Sequence, residues 1–127
     1  MNRLAIDFGT SNTAAAVLLN GRPYVIPLEA GERTLPTALF FDYARRDTLI
    51  GHAAVAALIA GREGRFMRAL KSVLGTPIMH EPRQLLTERL TLIDVVARFL
   101  AQVKQRAEAH CGMTFDAALS GRPVAFH

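Results

Sequence analysis

The sequence predicts an α/β domain in which a mixed sheet is flanked by helices. Two observations lead to this prediction. Short apolar runs separated by turn residues fill the first 50 positions, which is typical of strands. A long amphipathic segment and one more apolar run come later, which indicates a helix that packs on the sheet before a last strand. The 127 residues, half of them hydrophobic and 20% charged, are enough for one domain with a buried core.

The N-terminal part of the chain predicts an antiparallel meander. Gly9 opens a polar turn at residues 9–12, because Gly, Ser and Asn favour reversal of the backbone. Asn20 and Gly21 form the strongest short hairpin signal in the chain. A further polar turn covers residues 29–33. Strands are predicted at 3–8, 13–19, 23–28, 37–43 and 48–50.

Helices are predicted in the middle of the chain. The Ala-rich residues 52–61 form the first, and a short second helix near 65–73 ends at Gly75 and Pro77, which interrupt helices. Residues 76–90 are predicted to be irregular, with a strand at 84–87.

The clearest predicted helix covers residues 92–110. Thr91 and Asp94 have the spacing of a capping box, and Gly112 is suited to the C-terminal cap. A last strand is predicted at 115–120. The apolar stripe of the helix is predicted to consist of Ile93, Val96, Leu100, Val103 and Ala107.

Charge and composition exclude several classes of function. The net charge is +4, but the arginines are scattered along the chain, which favours a solvated surface over a nucleic-acid interface. A single Cys excludes an intrachain disulfide, and the four histidines lack metal-ligand spacing. No apolar run has the length of a signal or membrane segment, so we expect a cytoplasmic protein without nucleic-acid or membrane partners.

Residues 6–12 (IDFGTSN) carry the most chemical information. Gly9 allows close approach of the backbone to a ligand, and the N–H groups and hydroxyls of Thr10 and Ser11 can surround phosphate oxygens. Asp7 is suited to a hydrated Mg²⁺, which keeps most of its waters. The residues alone also fit a polar hairpin turn, and they match neither a Walker loop nor a dinucleotide fingerprint.

Residues 6–13 resemble the first phosphate loop of the actin-like ATPase superfamily. Three further segments are similar, in order and spacing, to segments of the heat shock protein 70 family within that superfamily. They are GERTLPT at 31–37, LIGHAA at 49–54 and FMRALKSVLG at 66–75. The resemblance covers essentially the whole chain and implies an actin-like, ribonuclease H-like fold. The GERTLPT and FMRALKSVLG segments disfavour a third possibility, a sugar kinase or a cell-shape protein of the same superfamily.

The resemblance implies roles for individual residues. Asp7 corresponds to the aspartate at Mg²⁺ and its water shell. Gly9, Thr10, Ser11 and Asn12 correspond to the loop around the β- and γ-phosphates of ATP or ADP. Lys71 corresponds to the lysine that reaches the γ-phosphate and positions the attacking water, so Asp7 and Lys71 are the expected catalytic residues. A lysine suits this role because phosphoryl transfer depends on positioning and charge stabilisation.

The resemblance also implies a domain organisation. Residues 117–126 (AALSGRPVAF) are similar to the strand that ends at the switch proline of the family, which would be Pro123. Gly121 and Arg122 depart from the usual residues before that proline, as in a divergent bacterial branch. We expect residues 1–127 to be the N-terminal lobe of a longer nucleotide-binding domain, with an inserted small subdomain at about 38–85.

The expected function is ATP binding and hydrolysis as part of a chaperone-like ATPase. We expect negligible ATPase activity from the 127 residues alone, because half of a nucleotide cleft cannot enclose ATP for hydrolysis. Client and co-chaperone proteins would bind through regions outside this chain, and an apolar cut edge would favour self-association. The alternative is a non-catalytic protein-interaction module that keeps the lobe without nucleotide turnover.

Overall fold

A computed structural model describes residues 3–73, 75–85 and 88–121. Within these ranges no helix is both long and apolar enough to cross a membrane. The α-helices are α1 (Gly51–Ile59) and α2 (Leu92–Cys111), and 3₁₀ helices span Leu70–Val73 and Pro77–His80. The strands are β1 (Arg3–Phe8), β2 (Asn12–Leu19), β3 (Arg22–Val25), β4 (Leu35–Pro36), β5 (Ala38–Asp42), β6 (Asp47–Ile50), β7 (Gly64–Arg68), β8 (Arg83–Leu85), β9 (Glu88–Leu90) and β10 (Ala117–Gly121).

The larger sheet is mixed, as the sequence predicts. Its strand order is β10-β1-β2-β3, with β4 paired to β2. Strand β10 runs parallel to β1, and the other pairs are antiparallel. The predicted hairpin is confirmed, since Asn20 and Gly21 have φ values of 52° and 77° between β2 and β3. Strand β3 is shorter than predicted.

Helix α2 packs on this sheet through one apolar stripe. The ring of Phe99 lies 5.8 Å from that of Phe8 on β1. The capping box of Thr91 and Asp94 is confirmed, as is the left-handed cap at Gly112, with φ of 66°. The predicted stripe is partly wrong, because Ile93 is 38% exposed. The buried positions are Leu92, Val95, Val96, Phe99, Val103 and Ala107, which recur every three or four residues along one face.

A second sheet, of order β6-β5-β7, covers one side of α1. All five residues of its central strand β5 are buried. Leu39 and Phe41 belong to the large core beneath the first sheet. Ala38 and Phe40 belong to a smaller core with α1. Strand β5 therefore separates two apolar layers, and it follows β4 after a single residue.

The helix predicted near 65–73 is wrong in its first half. Residues Gly64–Arg68 form β7, which pairs with every residue of β5, and only Leu70–Val73 are helical, as a 3₁₀ turn. A buried central strand needs partners on both edges, because its N–H and C=O groups cannot reach water. The segment at 76–90 contains the short hairpin β8–β9 in place of a single strand at 84–87, and residues 86 and 87 lie outside the described ranges.

The carboxylate of Glu29, in the turn at 29–32, caps the N-terminus of helix α1. It accepts hydrogen bonds from the backbone N–H groups of His52 (2.6 Å) and Ala53 (3.2 Å). The guanidinium of Arg106 on α2 lies 3.5 Å from the same carboxylate. Gly51 leaves room for this contact, because a Cβ there would lie 2.4 Å from Glu29 Oε1. One side chain therefore joins the 29–32 turn to both helices.

We expect Glu29→Ala to lower the free energy of unfolding by about 1–2 kcal/mol, because two N–H groups of the first helical turn lose their acceptor. Urea denaturation followed by circular dichroism measures this change. Glu32→Ala is the matched control, since Glu32 is exposed on the same turn and its side chain has no described hydrogen bond. Equal unfolding midpoints for the two variants would contradict the proposed cap.

Asp42 is a buried carboxylate at the end of β5. The backbone N–H of Arg45 donates a hydrogen bond of 2.9 Å to Asp42 Oδ1, and Arg62 forms an ion pair with Oδ2. The Arg45 hydrogen bond, aided by the charge of Arg62, holds the pKa of Asp42 below its ordinary value of 3.8. The folded state therefore binds a proton at Asp42 less readily than the unfolded chain does. As a result, the ionised carboxylate stabilises the folded state at pH values above 3.8.

We expect wild type to have a higher free energy of unfolding than Asp42→Asn at neutral pH. This difference should shrink as the pH is lowered past 3.8. Protonation removes the charge that Arg62 pairs with, so the two proteins converge in acid. Urea midpoints measured across the acid range test this. The control is Asp47→Asn on β6, because Asp47 is exposed and its side chain has no described hydrogen bond. A pH-independent gap between wild type and Asp42→Asn would contradict the assignment.

Candidate functional site

The loop between β1 and β2 is a tight polar turn. The N–H of Gly9 donates a hydrogen bond of 3.0 Å to the carbonyl of Asn12. A Cβ at position 9 would lie 2.5 Å from that oxygen, so the turn accepts only glycine at this position without rearranging. Thr10, Ser11 and Asn12 are all exposed, which leaves their side chains accessible to a ligand.

Asp7 lies two residues before this loop, on the outer face of β1. Its neighbours Ile6 and Phe8 are buried in the core, whereas Asp7 is exposed. Its register partners are Ala14 on β2 and Gly121 on β10. The carboxylate has no hydrogen-bond or ion-pair partner among the described residues. It is therefore accessible at the same end of the sheet as the loop.

Thr37 holds the loop to the rest of the molecule. Its N–H donates a hydrogen bond of 2.9 Å to the carbonyl of Ser11. Its hydroxyl lies 2.7 Å from the hydroxyl of Thr13, and both side chains are buried. Because Thr37 connects β4 to β5, these two contacts fix the loop against the start of the second sheet.

A cavity of about 430 Å³ opens between this loop and the second sheet. Thr10, Ser11 and Arg68 are among the residues that line it. The sequence predicts Thr10 and Ser11 as parts of the site, but it gives no signal for Thr13, Thr37 or Arg68. The other lining residues are Pro36, Thr37, Ala38, Val55, Leu58, Phe66 and Ala69.

Lys71 lies close to the cavity in sequence but does not line it. Ala69, which does line it, reverses the chain with a φ of 55°, and its carbonyl accepts hydrogen bonds from the N–H and hydroxyl of Ser72. Leu70 is buried, and Lys71 is half-buried with no described hydrogen bond or ion pair. The structure thus brings Thr10 and Ser11 to the same cavity as the segment that leads into Lys71.

Pro123 and Cys111 belong to the C-terminal part of the chain. Pro123 lies outside the described residues, although β10, which precedes it, ends beside Asp7. Burial raises the pKa of the Cys111 thiol, which disfavours the reactive thiolate at the end of α2. Among the residues that the structure describes, no three His, Cys, Asp or Glu side chains converge as a metal site would require.

The comparisons with known proteins agree on one family. A family model described as Hsp70 protein matches residues 3–91, which include the loop, Thr37, Arg68 and Lys71. The chaperone protein DnaK of Ureaplasma urealyticum serovar 10 is 29% identical over 123 residues, which cover 97% of this chain and 19% of that protein. DnaK from two strains of Ureaplasma parvum serovar 3 gives the same identity and coverage. The chain thus spans about a fifth of the length of the curated relatives it matches.

The hydroxyl pair of Thr13 and Thr37 gives a test of how the loop is held. We expect Thr13→Val and Thr37→Val each to lower the free energy of unfolding by about 1–3 kcal/mol, because each leaves a buried hydroxyl without its partner. The double variant should cost less than the sum of the two, since neither hydroxyl remains. Chemical denaturation measures all three, with Thr10→Val as the exposed control; strictly additive losses would contradict the pairing.

Proposed function

The chain belongs to the Hsp70 family, whose model covers residues 3–91, and on this premise we propose that it binds the phosphates of ATP or ADP as part of a chaperone ATPase. The observation that carries the proposal is the β1–β2 turn. Its glycine has no space for a side chain, and its residues Thr10 and Ser11 line a cavity. A turn of this kind presents donors to an anion at close range.

The loop residues have separate roles in this proposal. The N–H groups of residues 10–12 and the hydroxyls of Thr10 and Ser11 would donate hydrogen bonds to the β- and γ-phosphates, while the N–H of Gly9 closes the turn on the carbonyl of Asn12. Gly9 would allow the phosphates to approach the backbone without a side chain between them. The buried contacts of Thr37 would keep the donors in place before the ligand arrives, so that little ordering is needed on binding.

Asp7 is better suited to contact Mg²⁺ through the water molecules of the ion than to ligate a metal directly. It is a single exposed carboxylate, and Mg²⁺ in phosphate sites takes few carboxylates and retains several waters. When bound with the nucleotide, Mg²⁺ would neutralise part of the charge on the phosphates. Asp7 would hold the waters of the ion by accepting hydrogen bonds from them.

Lys71 is proposed as the cation that stabilises the transferring phosphoryl group and orients the attacking water. Its half-buried position and lack of a described carboxylate partner leave its charge available for this role. A lysine serves as a compact point charge with rotatable donors, which suits a group that moves during the reaction. Lys104, by contrast, forms an ion pair with Glu108 on α2.

Further features of the proposal concern sequence outside the described residues. The chain spans 19% of its curated relatives, and the remaining contacts to the nucleotide would come from a second lobe beyond these residues. Binding of clients and co-chaperones would also depend on that sequence, with Pro123 as the switch between nucleotide state and the rest of the chaperone. The small subdomain at about 38–85, self-association and hydrolysis by the assembled cleft remain predictions.

We expect Mg²⁺-dependent binding of ATP to the 127-residue chain to weaken by about tenfold in Lys71→Ala, because one charge-assisted contact to phosphate is lost. Isothermal titration with and without Mg²⁺ measures the affinity. Lys104→Ala is the matched control, since it removes the only other lysine of the sequence and should leave the affinity unchanged. A wild-type chain that binds no ATP would contradict the proposed function.

A further inference from the structure

We propose that Arg68 is a second cation of the phosphate site and contacts the terminal phosphate of a bound nucleoside triphosphate. This inference rests on the proposed function of the β1–β2 loop and adds a residue to it. Arg68 lies at the end of β7 and lines the same cavity as Thr10 and Ser11. It therefore belongs to the surface that a ligand of the loop would meet.

The register of β7 directs Arg68 to this cavity. Side chains alternate along a strand, and Phe66 and Arg68 both line the cavity, whereas Arg65 and Met67 do not. The pairing of Ala38 with Arg68 places this position at the start of β5, next to Thr37, whose N–H bonds to the loop. Arg68 thus belongs to the part of the cavity lining that comes from the second sheet, whereas Thr10 and Ser11 belong to the part that comes from the loop.

The charge of Arg68 is uncompensated in the structure. Arg68 is exposed and has no ion pair among the described residues, and no Asp or Glu lines the cavity. Three other arginines pair with carboxylates: Arg62 with Asp42, Arg98 with Glu88 and Arg106 with Glu29. A cavity with one unpaired guanidinium and no acid attracts an anion.

The cavity also has an apolar part. Val55 and Leu58 of α1 and Phe66 of β7 contribute to its lining. The hydroxyls of Thr10 and Ser11 are the polar groups that a ligand could meet at the loop. An anion with several oxygen atoms offers acceptors both to the loop and to Arg68, which line one cavity of about 430 Å³.

Arg68 would act differently from Lys71. The planar guanidinium offers two parallel N–H donors that match two oxygens of one phosphate, whereas an ammonium acts as a point charge. The two cations flank Leu70, which is buried, and Ala69, where the backbone reverses with a φ of 55°. This anchored reversal holds both cations on one short segment that begins at the cavity.

The test is to titrate ATP, ADP and inorganic tripolyphosphate, each with Mg²⁺, into the 127-residue chain and its variants. We expect Arg68→Gln to weaken the binding of ATP and tripolyphosphate by about tenfold and that of ADP much less, because only the first two place a third phosphate at the site. Arg68→Lys should keep an intermediate affinity. The matched control is Arg65→Gln, which removes the same charge from an exposed position of β7 outside the cavity and should change each affinity by less than about twofold.

The outcomes separate this inference from the proposed function. If wild type binds ATP and the two Gln variants bind it equally, Arg68 does not contact the ligand, and the loop proposal stands. If tripolyphosphate binding falls in Arg68→Gln but ATP binding does not, the cavity takes free polyphosphate, and the assignment to nucleotide is overturned. If wild type binds none of the three, both proposals fail. Thermal unfolding of each variant shows whether a loss of binding reflects a loss of fold.

Discussion

The contacts of Thr37 are the constraint on which the site depends. The residue connects a strand of the first sheet to the central strand of the second, and its N–H and hydroxyl both bond to the loop region, at Ser11 and Thr13. Because the hydroxyl pair of Thr13 and Thr37 is buried, breaking it would leave polar groups without a partner in an apolar environment. The loop, the two sheets and the cavity between them therefore keep one relative arrangement.

Strand β5 explains why part of the fold could be predicted and part could not. The hairpin at Asn20 and the capping box at Thr91 follow from local chemistry, since neighbouring residues specify those conformations. Residues Gly64–Arg68 form a strand because the buried strand β5 requires a hydrogen-bonding partner on its second edge. This requirement comes from the tertiary structure, and the local sequence carries no signal for it. Ile93 has the spacing of a core residue, and only the position of the sheet decides that it faces outward.

The candidate site shows the same division. Asp7, Thr10 and Ser11 were predicted because polar residues that follow an apolar strand, in a motif shared with a family, indicate a phosphate loop. Arg68 was not predicted, because in an Arg-rich chain an arginine is expected to lie on the solvated surface. Its place in the site follows only from the pairing of its strand with β5. Lys71 is intermediate: its role rests on the family motif, and the structure places its segment beside the cavity without making it a lining residue.

The carboxylate of Glu29 has a consequence for the local motions of the protein. The first N–H groups of a helix normally lack partners and exchange their hydrogens with water freely. In α1 two of them, at His52 and Ala53, are held by Glu29, which also contacts Arg106 of α2. Opening of this helix end must therefore break contacts with the 29–32 turn. The part of the cavity wall that α1 forms would therefore open together with that turn as one cooperative unit. The N-terminal end of α1 would not fray on its own.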